Sequence, residues 1–285
     1  MVSTRLQDEI ASIRGNTTLF NCENTGNRPI LDYHSLNDNL HHNIPKWYHK
    51  NVIYELATIK NSIDTVEHDQ IRDFLLVAFS SILRRVSNAC PGFGNLMINK
   101  NAPSKNKIFE EFSRSVESMT QGMSNFAKEA TNCQARVFNR DSRNLGFIND
   151  ETIDFICTHP PYMAAVPYAE YQKLSLWWLG YDQYDLDKSL IGGRRNRSDT
   201  PERFFHDKTI SLSEMKRVLR RKGYCCIVIG NPVYRGKSWK LNEIIKQTCT
   251  DIGFTFLKEI SREGSGQYFS WVTVQQDGHR TTKYL

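Results

Sequence analysis

The chain has 285 residues, of which 39% are hydrophobic and 24% are charged, and its formal net charge is +6. These values are typical of a globular protein and exclude an intrinsically disordered chain, which would carry fewer hydrophobic residues. The length suffices for one large domain or two small ones, with a core that needs neither disulfides nor metals. The mild basic excess permits a polyanionic partner without requiring one.

Residues 1–15 are polar and charged, so no secretory signal is expected, and no stretch approaches the roughly 20 apolar residues of a membrane helix. The seven cysteines form no C-x-x-C pair. We therefore expect no disulfide framework, no metal site and a reducing, cytoplasmic location. Cys157, Cys225 and Cys226 lie in apolar runs, and we expect them to pack as small hydrophobic residues.

The first predicted region, residues 1–132, is irregular at its start and helical afterwards. Between residues 71 and 86, apolar residues recur at three- and four-residue intervals, which predicts an amphipathic helix that Pro91 and Gly92 stop. A second, more polar helix is predicted over residues 105–131.

Short apolar runs alternate with helical segments in residues 133–285, which predicts an α/β fold with a parallel sheet and crossover helices. The predicted strands are Ala135–Phe138, Ile153–Thr158, Tyr224–Gly230, Phe254–Ile260 and Tyr268–Val274. The predicted helices are Tyr168–Leu179, Arg203–Arg221 and Lys240–Ile252. Ligands bind at the carboxyl ends of such strands, so the loops after Phe138, Cys157 and Gly230 are the first candidate sites.

The loop after Cys157 reads Thr158-His159-Pro160-Pro161-Tyr162. Two consecutive prolines fix the backbone and remove two N–H donors, which leaves a stiff ledge whose carbonyls are free to accept hydrogen bonds. A ledge of this kind at a strand end, followed by an aromatic ring, can hold a flat substrate that carries an amino group. The sequence therefore predicts a site for an amine-bearing ring.

This loop resembles motif IV, (D/N/S)-P-P-(Y/F/W), of the amino-methyltransferases that use S-adenosyl-L-methionine. Further resemblances follow the family's order along the chain, over residues 135–275. They are Asn139 to Leu145 (similar to GDAR-x-L), Leu176 to Gly180 (similar to L-W-W-L-G), Glu214 to Gly223 (similar to E-x-x-R-V-L-K-P-G-G) and Gly230-Asn231 (the polar end of a strand).

The resemblance implies a DNA methyltransferase acting on cytosine N4 or adenine N6, in a restriction-modification or defence context. It implies catalytic roles for Thr158, His159, Pro160, Pro161 and Tyr162. It further implies that Asp141, Ser142, Gly230 and Asn231 contact S-adenosyl-L-methionine. The basic loop that follows contains Arg194, Arg195 and Arg197, which are candidates for contacts with DNA or for a solvated surface loop.

Two features depart from the family pattern. His159 stands where Asp, Asn or Ser is usual; a neutral imidazole nitrogen still accepts a hydrogen bond, but the choice of target base becomes undefined. The Gly-rich cofactor loop of the form D-P-F-x-G-S-G-T is missing. Gly92-Phe93-Gly94 follows a helix, and Gly264-Ser265-Gly266 lies between two strand-like runs and reads as a hairpin turn.

The resemblance thus implies a partial Rossmann-like class I methyltransferase sheet, with strands three to seven present and strands one and two missing. One hypothesis is a split enzyme, in which a partner protein supplies the Gly-rich loop; another is a degenerate gene product. An RNA guanine-N2 methyltransferase and a non-catalytic DNA-recognition subunit are the alternative functions. We expect Trp177 and Trp178 to be core residues.

Overall fold

The computed structural model describes residues 40–91, 96–129, 134–163, 167–192, 200–234, 236–264 and 267–276. The chain divides into two compact units. The first consists of residues 1–134 and 169–183, and the second consists of residues 135–168 and 184–285. The first unit thus takes in residues 169–183, which the sequence analysis had grouped with the α/β region.

The first unit is helical. Its helices are α1 (Ile44–Trp47), α2 (Lys50–Asp64), α3 (Asp69–Val86), α4 (Ile108–Glu129) and α6 (Lys173–Trp178), with the short α5 (Tyr168–Tyr171) at the boundary between the units. The predicted helix over residues 71–86 is confirmed, because its apolar stripe is buried. Trp177 and Trp178 are 6% and 5% exposed in this unit's core, as predicted. The predicted helix Tyr168–Leu179 forms as two pieces, α5 and α6.

The second unit contains the α/β fold. Its strands are β1 (Ile153–Thr158), β2 (Leu219–Gly230), the short β3 (Val233–Tyr234) and β4 (Lys237–Ser238), β5 (Phe254–Gly264) and β6 (Gln267–Gln276). Its helices are α8 (Thr200–Val218) and α9 (Leu241–Asp251). A further helix, α7 (Gln183–Ser189), begins at the boundary between the units. The main sheet has the order β1-β2-β6-β5. β1 and β2 are parallel, whereas β6 is antiparallel to both of its neighbours.

The mixed α/β class and four of the five predicted strands are confirmed. Gly264 pairs with Gln267 across the β5–β6 hairpin, so the hairpin interpretation of the Gly264–Gly266 segment is also confirmed, although residues 265 and 266 lie outside the described residues. The sheet is not purely parallel, because β6 runs against β2. Two crossover helices, α8 and α9, pack on this sheet.

The predicted strand Ala135–Phe138 is wrong, because these residues form no regular structure. Val137 is 97% exposed and Phe138 is 56% exposed. A strand needs a neighbour for its backbone N–H and C=O groups, and the described residues provide none here. The sheet therefore begins at β1, and the expected strand three does not form.

The predicted helix Arg203–Arg221 ends too late. The structure ends α8 at Val218, and Leu219 already pairs with Ile153 in the sheet. The basic residues that follow Leu219 lie in β2 and are exposed, although a run of this kind also suits the end of a helix. The predicted helix Lys240–Ile252 is confirmed as α9, within one residue at each end.

Among the described residues, one face of the sheet is formed by buried side chains and the other by large side chains that are exposed. The first face is formed by buried residues, including Cys225, Ile227, Ile229, Val272 and Val274. On the other face, Phe155 and its cross-strand neighbour Tyr224 are 55% and 46% exposed, and Ile260 is 53% exposed. We call this second surface the open face. Cys157 lies two residues after Phe155 in β1, on the same open face, and is exposed, so its predicted burial is wrong. Cys225 is buried as expected.

Candidate active site

The predicted ledge lies directly after β1. Thr158 is the last residue of the strand and pairs with Ile227 of β2, so the chain leaves the sheet at His159. Because β1 and β2 are parallel, the loop after Thr158 and the loop after Gly230 lie at the same edge of the sheet. We call this edge the carboxyl edge. The structure therefore brings the loops after Cys157 and Gly230 together. The third predicted loop, after Phe138, does not follow a strand.

A hydrogen bond connects the two polar side chains of the ledge. His159 Nε2 and Tyr162 Oη are 2.6 Å apart, and the two rings meet edge to face at a centroid distance of 5.2 Å. His159 is exposed, whereas Pro160, Pro161 and Tyr162 are half-buried. Burial, together with the nearby Tyr168, raises the pKa of Tyr162, so the phenol stays neutral and retains its proton.

The tautomer of His159 decides what the ledge can accept. If Tyr162 donates to Nε2, the ring proton is on Nδ1, and no ring nitrogen is left to accept from a substrate amine. If Nε2 carries the proton and donates to the tyrosine oxygen, Nδ1 is free to accept. Only the second arrangement gives His159 the acceptor that the motif requires.

Gly192, which follows α7 in the chain, lies close to the backbone of Tyr162. Its φ is +102°, a conformation that side chains rarely adopt, and a Cβ atom there would lie 3.2 Å from the Tyr162 carbonyl oxygen. The same position would lie 3.9 Å from Cδ2 of Phe204, which is fully buried on α8. Gly192 thus fixes the start of the basic loop beside Tyr162. Arg194, Arg195 and Arg197 lie outside the described residues.

Replacing Gly192 by alanine should destabilise the protein by about 1–3 kcal/mol, because a strained backbone is combined with a close approach to the Tyr162 carbonyl. Gly180→Ala is the matched control, since Gly180 also has a positive φ (+78°) but a Cβ there would meet no atom within 4 Å. Chemical denaturation measures both. Equal losses in the two variants would show that the Tyr162 contact contributes nothing.

Asp141 and Ser142 are held by neighbouring side chains. Arg143 donates to both carboxylate oxygens of Asp141, the shortest contact being 2.6 Å to Oδ2, and these hydrogen bonds lower the pKa of Asp141. Ser142 Oγ lies 3.2 Å from Ser211 Oγ on α8. Arg143 also pairs with Asp207 at 3.1 Å and donates to the Ser189 carbonyl at 2.9 Å. This segment is therefore fixed to α8 and to the end of α7.

A second arginine holds the remainder of the connection to β1. Arg217 donates to the carbonyls of Leu145 and Ile148, each at 3.0 Å, and pairs with Glu214. Glu214 in turn accepts from the Leu145 N–H at 2.8 Å. The hydrogen bonds from Arg217 lower the pKa of Glu214. Asn139 to Leu145, the segment that resembles GDAR-x-L, and the residues that follow it up to Asp150 form no strand, but they are held against α8 by these contacts.

At the end of β2, Gly230 is buried and Asn231 is half-buried. Asn231 Oδ1 accepts from the Asn242 N–H at 3.2 Å, in the first turn of α9. A helix start leaves backbone N–H groups without partners, and Asn231 satisfies one of them. Asn231 therefore connects β2 to α9 at the carboxyl edge.

Sequence reasoning did not single out Arg143, which holds Asp141, Gly192, which lies beside the Tyr162 carbonyl, or the buried Lys208. The Gly192-Gly193 pair was a signal for a close backbone approach. Lys208 gave no such signal, because a lysine in an amphipathic helix is normally solvated. Among the described residues, no group of His, Cys, Asp and Glu is arranged to hold a metal ion, and no helix is long and apolar enough to cross a membrane.

No protein-family model matches the chain. It is 28% identical over 173 residues to the type II methyltransferase M.MvaI of Kocuria varians, a match that covers 53% of this chain and 37% of that protein. The chain is thus related to a methyltransferase, but it spans well under half of that relative's length.

Two solved structures show weaker similarity. One is a candidate DNA modification methylase of Thermus thermophilus in complex with S-adenosyl-L-methionine (18% identity, 50% of this chain, 56% of that chain, TM-score 0.34). The other is a SAM-dependent methyltransferase of Methanosarcina mazei (10% identity, 57% of this chain, 76% of that chain, TM-score 0.28). Both TM-scores are low, so the fold class rests on the observed strands and helices.

Proposed function

We propose that this chain is the target-binding part of a DNA methyltransferase that acts on the exocyclic amine of cytosine (N4) or adenine (N6), in a restriction-modification or defence context. The observation that carries the proposal is the position of Thr158-His159-Pro160-Pro161-Tyr162 at the carboxyl edge, directly after β1. The relationship to a type II methyltransferase supports it.

The ledge would act by positioning the amine. Nδ1 of His159 and the Pro160 carbonyl accept hydrogen bonds from the amine, which directs the nitrogen lone pair away from the ledge. The Tyr162 ring stacks on the base. Because bases in a duplex are stacked and paired, the target has to be flipped out before it reaches this ledge. No covalent enzyme intermediate is needed.

S-adenosyl-L-methionine, when bound, supplies the electrophilic methyl group. Asp141, Ser142, Gly230 and Asn231 are the residues of this chain that we assign to its binding. They fit only part of that role, because Asp141 is already bound by Arg143 and Asn231 by the Asn242 N–H. The described residues contain no Gly-rich turn between a strand and a helix. We therefore propose that a complementary polypeptide provides most of the cofactor site.

The sheet has room for such a complement. Among the described residues, β1 pairs only with β2, so its outer edge carries backbone groups that can form a further ladder. Next to that edge lies the open face, where Phe155, Cys157 and Tyr224 are exposed. A strand added beside β1 would pair with its backbone groups, and a helix packed on Phe155, Cys157 and Tyr224 would bury their side chains. We propose that the partner protein carrying the Gly-rich loop binds here.

The basic loop would contact DNA. We assign Arg194, Arg195 and Arg197 to contacts with DNA; Gly192, a described residue shortly before them in the chain, lies beside the Tyr162 carbonyl. Arginine contacts of this kind bind phosphates or base edges. A basic chain, with a net charge of +6, is suited to such a partner.

Complementation tests the proposed function. The chain is co-expressed with a protein that carries a D-P-F-x-G-S-G-T loop, and methyl transfer is measured on DNA and on RNA. We expect transfer to DNA only when both proteins are present. Transfer to RNA alone would favour the guanine-N2 alternative, and a complex that binds S-adenosyl-L-methionine without transfer would favour the non-catalytic one.

A further inference from the structure

α8 carries a buried lysine, Lys208. Lys208 is only 6% exposed, and in the described part of the chain it has neither a hydrogen bond nor an ion pair. Its ammonium lies over the Phe204 ring, 5.6 Å from the ring centroid. The neighbouring carboxylate of Asp207 pairs instead with Arg143. A buried ammonium without a counter-ion is costly, so its retention requires an explanation.

Lys208 lies in the first half of α8, away from the end of the helix that meets the start of β1. The Thr152 N–H donates to the Val218 carbonyl at 2.9 Å, so α8 ends where β1 begins. Lys208 lies about 15 Å back along the helix, a distance that corresponds to about four or five residues of strand. Side chains in a helix lean toward its N-terminus, which carries the ammonium further toward the level of the ledge.

The surroundings of Lys208 connect it to the target side of the site. Its ammonium covers Phe204, the edge of Phe204 reaches Gly192, and Gly192 approaches the Tyr162 carbonyl. The basic loop starts at this same glycine. A neutral acceptor would leave the buried charge uncompensated, whereas an anion would neutralise it. The position therefore favours an oxyanion that enters from the ledge side.

We propose that Lys208 is an oxyanion-binding residue that contacts a phosphate of the nucleic-acid substrate beside the target nucleotide. The inference rests on the proposed function for the identity of the ligand, but the oxyanion site itself can be tested in this chain alone. The other source of an oxyanion is the carboxylate of the methyl donor, and the experiments below separate the two.

The first experiment uses sulfate as the probe. Burial lowers the pKa of Lys208 to about 8, with a smaller opposing effect from Asp207. The side-chain titration is followed by NMR in chloride and in sulfate at equal ionic strength. Sulfate should raise the pKa of Lys208 by about one pH unit or more, as a nearby opposite charge does. An unchanged titration at saturating sulfate would overturn the oxyanion site, whether or not the protein acts on DNA.

The second experiment measures the affinity for DNA at several salt concentrations. Lys208→Met should weaken binding severalfold and reduce the slope of log affinity against log salt by about one, as the loss of a phosphate contact does. Lys216→Met is the matched control, since it removes a half-buried lysine from the same helix, two turns further from the ledge. This control should leave the slope closer to that of the wild type.

The third experiment measures, by calorimetry, how tightly the complemented enzyme binds S-adenosylhomocysteine. The affinity for this cofactor product should be the same in Lys208→Met and in the wild type. A tenfold loss of this affinity with an unchanged DNA salt slope would overturn the phosphate assignment in favour of the cofactor carboxylate. If neither affinity changes, Lys208 is only a packing residue and the proposal is wrong.

Discussion

Replacing Lys208 by methionine should raise the free energy of unfolding by about 3–4 kcal/mol at pH 7. The reason is the difference between the ordinary lysine pKa of 10.5 and the folded value of about 8, at about 1.4 kcal/mol for each pH unit. Methionine keeps most of the side-chain volume and packs on Phe204 without a charge to desolvate. Chemical denaturation of both proteins at pH 7 measures the gain.

The pH dependence of this gain has a defined sign. Because the folded pKa of Lys208 is lowered, the unfolded chain binds more protons between pH 8 and 10.5, and the wild type becomes relatively more stable as the pH rises through that window. The advantage of the methionine variant should therefore be complete below pH 8 and disappear by about pH 10.5. A loss of stability at pH 7 would show that Lys208 has a stabilising partner.

Replacing His159 by alanine should lower kcat for methyl transfer by about 100-fold in the complemented enzyme. A positioned group that assists proton or charge rearrangement at the reacting atom contributes about this much. The affinity for DNA should change little, since Tyr162 and the basic loop remain. His159→Asn should retain most of the activity, because its amide oxygen is an acceptor and asparagine is usual at this position in the family that the loop resembles.

This pair of variants separates an active histidine from a vestigial one. A structural role for the His159–Tyr162 hydrogen bond would be lost in both variants, so alanine and asparagine would behave alike. An asparagine variant far more active than the wild type would mean that histidine had already impaired the site. The comparison is made from initial rates at saturating DNA and cofactor.

Local patterns predicted the elements whose side chains alternate between a core and a surface. The strand over residues 153–158 and the helix near residues 240–252 were predicted within one residue, because their apolar spacing matches the structure they form. Ala135–Phe138 is also mostly apolar but forms no strand. Pairing is non-local, and no neighbouring strand is available to this segment among the described residues.

The site shows the same division between local and tertiary information. The ledge at Thr158 to Tyr162 was predicted from the sequence because further segments along the chain resemble the same family in the same order; the two prolines and the tyrosine alone also suit an ordinary turn. The position of Gly192 against the Tyr162 carbonyl and the burial of Lys208 arise from the packing of α8, which sequence spacing does not reveal. The open face was likewise missed at Cys157, since an apolar run does not show which of its faces is covered.

The central claim is that the ledge holds the target base, and stacking on Tyr162 tests it most directly. Methyl transfer to DNA by the complemented enzyme is measured for Tyr162→Phe and Tyr162→Ala. Phenylalanine keeps the stacking ring and should retain most of the activity, whereas alanine should lose about 100-fold or more, since base stacking on an aromatic ring is worth about 1–3 kcal/mol and correct positioning adds to it. Full activity of Tyr162→Ala would contradict the assignment of the ledge as the target-base site.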